Sequence, residues 1–152
     1  VEQAIDRGEI SMDAVHDRNY LLIEGTNPPQ YNNGFCEVAD KYVQPLLDRF
    51  KAREPKIIGS AITNLDGYLP THLSERSQAP GPDPVWNDAN CRNKRIFMDE
   101  ITRKACESDQ PAMLSTYRME LGDRYIPVKN VFVPLYFKGR RWGNFELAYR
   151  DE

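Results

Sequence analysis

The chain has 152 residues, of which 40% are apolar, and a formal net charge of -3. That length suits one compact domain, and the composition excludes a disordered chain. The small charge excludes a dedicated nucleic-acid binder. Three cysteines, Cys36, Cys91 and Cys106, lie far apart without a C-x-x-C pair. An odd, scattered set argues for reduced thiols and against a disulfide framework. No run reaches the ~20 apolar residues of a membrane span, and no signal-peptide pattern opens the chain. Val1 falls inside a helical pattern, as expected of a piece cut from a longer protein. Reduced thiols with no signal peptide point to a cytoplasmic module, its parent membrane-anchored or not.

Residues 1–15 are mildly helical, and residues 16–34 read as irregular. Within them Gly25-Thr26-Asn27-Pro28-Pro29 is loop chemistry, since Gly and Pro both oppose a helix. From Phe35 the pattern changes. Phe35, Val38, Ala39, Tyr42, Val43, Leu46, Leu47 and Phe50 recur at three- and four-residue steps, which predicts an amphipathic helix over 35–50. Pro45 inside it predicts a kink. Ile57–Thr63 reads as a buried strand closed by Asn64-Leu65-Asp66-Gly67, a hairpin signal. Tyr68–His72 is the expected returning strand, and Pro70 makes it an edge or breaks it. Residues 73–87, with Pro80, Gly81, Pro82 and Pro84, form a long loop of the kind that often carries function.

Asp88 to about Ser108 reads as helical, in one or two pieces capped by Asn87 or Asp88. Ala112–Glu120, Tyr125–Phe137 and Arg141–Tyr149 read as three strands, joined by turns at Leu121-Gly122-Asp123 and Lys138-Gly139-Arg140. Such short joints require antiparallel neighbours. In the last strand Gly143, Phe145, Leu147 and Tyr149 share one face, and Trp142, Asn144, Glu146 and Ala148 share the other. The expected fold is α+β: a five-stranded antiparallel sheet with the long helix on one face and residues 73–104 as a flap. Residues 1–34 form the lead-in and 35–152 the sensor-like body, all within one compact domain.

Several segments together carry a family resemblance. They are Gly25–Tyr31, Asp66-Gly67-Tyr68-Leu69-Pro70-Thr71-His72 with Ser77-Gln78, and Asn90-Cys91-Arg92-Asn93-Lys94-Arg95-Ile96-Phe97. Thr116-Tyr117-Arg118 and Gly139-Arg140-Arg141-Trp142-Gly143 complete the set. From about residue 7 onward the chain resembles a PAS/Cache-like sensory region of bacterial methyl-accepting chemotaxis proteins. The resemblance implies a ligand-sensing domain in a chemotaxis or signal-transduction receptor, with the signalling domain of the same parent chain as its partner. Leu73, Glu75-Arg76 and Glu120-Leu121-Gly122 depart from the family pattern and flank the expected cleft, so no ligand carries over.

The expected ligand-binding residues are Tyr68, His72, Arg92, Arg95 and Tyr117. Tyr68 and His72 are an even number of residues apart and share a face if their strand is regular. Arg92 and Arg95, three apart on a helix, share the face beside Ile96 and Phe97, and a guanidinium suits a carboxylate. Tyr117 lies on the strand that follows the flap. His72 is equally well read as a structural hydrogen-bonding residue, and Trp142 as a packing residue. Haem ligation by His72 is disfavoured, because haem binders are a minority of PAS folds, and no cofactor or metal is expected.

G-x-S-x-G, G-x-x-x-x-G-K-[ST], H-E-x-x-H and G-x-G-x-x-G are all absent, so the chain is not expected to be an enzyme. The expected function is that of an input module taking a small polar or anionic molecule between sheet and flap. The alternative is a ligand-free interaction module that pairs with a second copy. Neither reading involves nucleic acid or membrane contact by this segment.

Overall fold

The computed structural model describes residues 1–121 and 123–152, with Glu120 and Leu121 described by their backbone alone. The expected turn at Leu121-Gly122-Asp123 therefore lies, at Gly122, outside the described residues. Two short helices, α1 (Glu2–Asp6) and α2 (Met12–Val15), open the chain. Ser11 caps α2, its Oγ accepting the Ala14 amide at 3.1 Å. Part of the stretch expected to be irregular instead forms a two-stranded ribbon, β1 (Leu21–Ile23) against β2 (Gln30–Asn32). Strands of three residues carry too little periodicity to be visible in sequence.

The long helix runs as α3 (Cys36–Val38), a π-helical stretch (Ala39–Val43) and α4 (Gln44–Ala52). Pro45 has no N–H to donate, and it sits in the first turn of α4 directly after the π-helical stretch. A π turn there accommodates the missing donor without ending the helix. It also rotates the apolar face. Leu47 is fully buried, whereas Leu46, expected in the core, is 44% exposed.

Four strands, not five, make the main sheet: β3 (Ile57–Asn64), β4 (Met113–Leu121), β5 (Arg124–Phe137) and β6 (Arg140–Arg150). Their order is β3-β6-β5-β4, every pair antiparallel. Lys138 and Gly139, both at positive φ, close the β5–β6 hairpin as a two-residue turn of the type that matches strand twist.

The expected strand at Tyr68–His72 is the missing fifth. The hairpin turn itself forms: Asn64 Oδ1 accepts the amides of Asp66 (2.9 Å) and Tyr68 (3.0 Å), and Gly67 takes φ +76°. The returning chain then leaves β3 and pairs with the flap. Leu69 N donates to Arg95 O (3.0 Å), Lys94 N to Leu69 O (2.6 Å) and Phe97 N to Gly67 O (2.8 Å). A Cβ on Gly67 would stand 2.3 Å from Phe97 O, so only glycine permits this approach. Pro70, which cannot donate, ends the pairing after one isolated bridge, Tyr68 with Ile96.

The flap is built differently from the expected helix over 88–108. It consists of a 3-10 turn (Ser74–Arg76), α5 (Pro84–Asn90), a non-helical segment through residues 91–98 that turns at Asn93-Lys94, and α6 (Glu100–Glu107). Asp83, not Asn87 or Asp88, caps α5 ahead of Pro84, and Asp99 caps α6 through the Thr102 amide at 2.7 Å. Asn87 is buried and fastens the loop, donating to Gly81 O and Asn27 O at 2.9 Å each. Arg92 and Arg95 accordingly flank the Asn93-Lys94 turn and do not sit on a helix.

The apolar core lies between the long helix and one face of the sheet, with α1 and α2 closing its end. Phe35, Phe137 and Trp142 meet edge to face at centroid distances of 5.6–5.9 Å. Trp142 is the packing residue expected, and its Nε1 donates to Val15 O at 2.9 Å.

Candidate functional site

Alternation along β3 and β6 divides the sheet into two faces. Ile62 and Phe145 turn toward the long helix, where Phe145 meets Phe50 at 5.3 Å. Gly59, Ala61 and Thr63 of β3, with Glu146 and Ala148 of β6, turn toward the flap. Three of these five are glycine or alanine, so the sheet leaves space there. Leu69 and His72 of the returning chain and Arg92, Phe97, Asp99 and Thr102 of the flap roof that space, bounding a cavity of about 230 Å³. An outer hollow of about 320 Å³ shares Gly59, His72, Arg92 and Ala148 with it and adds Arg76 and Tyr117.

Of the five expected site residues, the structure brings three together. His72 and Arg92 border both spaces, and Tyr117, 43% exposed, lines the outer hollow. Tyr68 points away and is fully buried, its hydroxyl donating to Tyr31 O at 2.6 Å and lying 3.0 Å from Cys36 Sγ. The even spacing from Tyr68 to His72 loses its meaning because their segment is not a strand. Arg95 also lies off the cavity. It pairs with Asp88 at 2.8 Å and stacks on the Phe97 ring at 4.4 Å.

Arg92 also stacks on the Phe97 ring, at 4.5 Å, while donating to the Asp88 carbonyl at 2.9 Å. Among the described residues it makes no ion pair. Burial lowers its pKa, and the nearby charges of Arg95 and Arg76 act in the same direction, opposed by Asp88 and Glu146. The site is therefore a half-buried cation with cationic neighbours, an arrangement that favours an incoming anion.

His72 Nδ1 accepts the Leu73 amide at 2.8 Å, which leaves the proton on Nε2. Burial, then Arg92 and Arg76, push its pKa down to about 4, so the ring is neutral near pH 7. Its carbonyl accepts from Gln44 Nε2 (2.9 Å) and Ser77 Oγ (3.2 Å). His72 thus makes the structural hydrogen bonds weighed from sequence, tying its segment to α4, and it also lines the cavity.

Glu146, Asp99 and Thr63 were not singled out by sequence reasoning. Glu146 is held up at about 7, first by burial, then by Asp99, with Arg92 opposing. Thr63 is 3% exposed, and its Oγ1 is buried with no hydrogen-bond partner. One signal was present in the sequence: Glu146 falls, by alternation, on the face opposite Phe145, an acid between two apolar neighbours on a strand.

The described residues contain no group of three or more His, Cys, Asp or Glu side chains placed to hold a metal ion. The three cysteines are free thiols, Cys36 and Cys91 buried and Cys106 partly so. No described helix is long and apolar enough to cross a membrane. Compared with known proteins, the chain matches no family model and no curated protein, so the chemistry of the cavity rests on its own residues.

Proposed function

We propose that this chain is a ligand-sensing input module of a signalling protein, similar to the PAS/Cache-like sensory regions of bacterial chemotaxis receptors. It binds a small polar or anionic molecule between sheet and flap, and it is not an enzyme. One observation carries this reading: Arg92 borders a cavity while stacked and half-buried, with a backbone carbonyl as its hydrogen-bond acceptor and no ion pair among the described residues. Polar groups converging on a cavity are the general mark of a small-molecule site. The antiparallel order β3-β6-β5-β4, with helices on one face and a flap on the other, supports the same reading. So does the way the flap is attached, by a short backbone zipper at residues 67–69 and 94–97 and by the His72 carbonyl bonds to Gln44 and Ser77. A ligand that prefers one flap position shifts the population toward it, and the parent's cytoplasmic signalling domain reads that shift.

Native mass spectrometry of the purified protein, with a thermal-shift screen of small metabolites, tests the reading. The expected result is a bound mass or a stabilising ligand that Arg92→Ala abolishes without unfolding the chain. The competing reading is a ligand-free interaction module. It draws on exposed Leu114, Val133 and Tyr136 of the β4–β5 pair. A stable dimer with no ligand response in the screen would favour it.

A further inference from the structure

We propose a second ligand site, at the end of the sheet and apart from the flap cavity: a hollow between Arg18, Arg140 and Arg141 that takes one phosphate-sized oxyanion. The site is independent of what the space between sheet and flap holds.

The hollow has a volume of about 50 Å³ and lies where three distant segments meet. His16 and Arg18 follow α2, Asn64 and Leu65 lie at the end of β3, and Arg140, Arg141 and Trp142 open β6. It shares no lining residue with the cavity or its outer hollow. Three guanidinium groups line it, and no described carboxylate does. Acids on the neighbouring turns are engaged elsewhere. Asp66 accepts from Arg18 and from the Tyr20 hydroxyl. Glu2 accepts the Lys138 amide at 2.6 Å, and Asp6 pairs with the Lys138 ammonium, two residues before Arg140.

Each arginine keeps charge or donors in hand. Arg18 engages Asp66 through Nε, at 2.6 Å, and through Nη2, which leaves Nη1 without a bond among the described residues. Arg141 donates only to neutral oxygens, the carbonyls of Gly143, Ala105 and Ser108 and the Asn144 side chain, at 2.8–3.2 Å. Its charge therefore has no counter-ion among the described residues. Arg140 makes no side-chain hydrogen bond or ion pair among them. A lone exposed arginine is ordinarily satisfied by water. Three around one hollow repel one another, and the buried Trp142 beside them is a poor screen. An oxyanion removes the repulsion and accepts charge-assisted hydrogen bonds from the planar guanidinium groups.

His16 reports the field in the hollow. Its pKa is lowered, first by burial and then by Arg140 on β6, while Asp13 on α2 opposes with a smaller effect. The surroundings of the ring are thus net positive although an acid stands nearby. An oxyanion between the guanidinium groups reverses that balance and raises the His16 pKa. Size and charge set the ligand class. Cations arriving from three segments suit a doubly charged ion with several oxygens, and a planar carboxylate offers only two. The volume of about 50 Å³ holds phosphate and excludes a whole nucleotide. Of a phosphate monoester, only the phosphoryl end enters.

The test follows the His16 ring by NMR through a pH titration, in sodium phosphate and in sodium chloride of equal ionic strength. The chain has two histidines, so His16→Gln assigns the signal. Phosphate should raise the His16 pKa by about half a unit or more. Isothermal titration with inorganic phosphate should show a site that Arg140→Gln weakens at least about tenfold. In chloride Arg140→Gln should itself raise the His16 pKa, and phosphate should then add nothing. The Arg140 side chain is exposed and unpartnered among the described residues, so this variant should fold, which thermal unfolding in chloride checks. Arg92→Ala should keep the full phosphate response, which separates the hollow from the flap cavity. Phenyl phosphate distinguishes the source: binding like that of phosphate supports a site for phosphoryl groups of monoesters, and binding of inorganic phosphate alone supports a site for the free ion. A His16 titration identical in phosphate and chloride overturns the proposal. So does a phosphate response that survives Arg140→Gln or disappears in Arg92→Ala.

Discussion

The two faces of one sheet make opposite use of the same strands. Toward the long helix, β3 and β6 present Ile62 and Phe145 to a filled apolar core around Phe35, Leu47, Phe137 and Trp142. Toward the flap, one residue along, they present Gly59, Ala61, Thr63, Glu146 and Ala148 to a polar cavity. A period of two is all that separates them, so a strand can hold the fold with one face and leave the other under-filled. The first face is filled by the core, and the second borders the cavity.

The comparison is sharpened most by truncating the filled face. Phe35 is fully buried between Phe137 and Trp142, so Phe35→Ala should cost about 3–5 kcal/mol in urea unfolding. Leu47→Ala should cost about 2–5 kcal/mol. Leu46→Ala, on the exposed side of the same turn, should cost well under about 1 kcal/mol. Equal losses at Leu46 and Leu47 would mean that the π turn before Pro45 does not rotate the helix face.

That helix also shows what sequence can and cannot reveal. Its apolar spacing marked the element and most of its buried residues, because burial on one face leaves a direct imprint at three- and four-residue steps. The slip at Leu46 comes from a π turn, which breaks the period that the reading assumes. The turns at Asp66-Gly67 and Lys138-Gly139 were legible because positive φ selects glycine, and three of the expected strands, β3, β5 and β6, border them. The fifth failed because the chain after Tyr68 found its hydrogen-bond partners in the flap, a choice made between distant segments. His72, Arg92 and Tyr117 border the cavity or its outer hollow although Arg92 arrives just before a turn and not on a helix. Glu146, Asp99 and Thr63 stayed hidden, since what unites them is their placement around one cavity, which no local pattern records.

The cavity face should announce itself through pH. The folded chain raises the pKa of Glu146 from 4.5 to about 7, so its stabilising contribution is complete below about pH 4.5 and is lost as pH rises through 7. The folded chain lowers the pKa of His72 from 6.5 to about 4, so its contribution is complete above about pH 6.5 and is lost as pH falls through 4. Between about pH 4.5 and 6.5 the two slopes oppose each other, each at most about 1.4 kcal/mol per pH unit. Relative to the parent protein, Glu146→Gln should lose stability as pH falls across that window. His72→Gln should lose stability as pH rises from 4.5 to 7. Urea midpoints at half-unit pH steps decide it, and profiles parallel to the parent for both variants would show that neither group is buried as described.

The smallest effect carries the opposite sign. Thr63 and valine have nearly the same shape, so Thr63→Val changes one hydroxyl for one methyl and leaves no void. On the filled face such a change would be neutral at best if the hydroxyl had a partner. On the cavity face the Thr63 hydroxyl is buried without one, and its removal relieves an unmet hydrogen bond. Thr63→Val should therefore raise the stability of the ligand-free protein by about 1 kcal/mol. Ligand affinity should stay unchanged in this variant, because the hydroxyl is shielded from the cavity and only the residue's other atoms line it. A gain in midpoint with unchanged affinity marks the hydroxyl as an unmet polar group beneath the cavity wall. A loss in midpoint would mean that an ordered water already satisfies the hydroxyl.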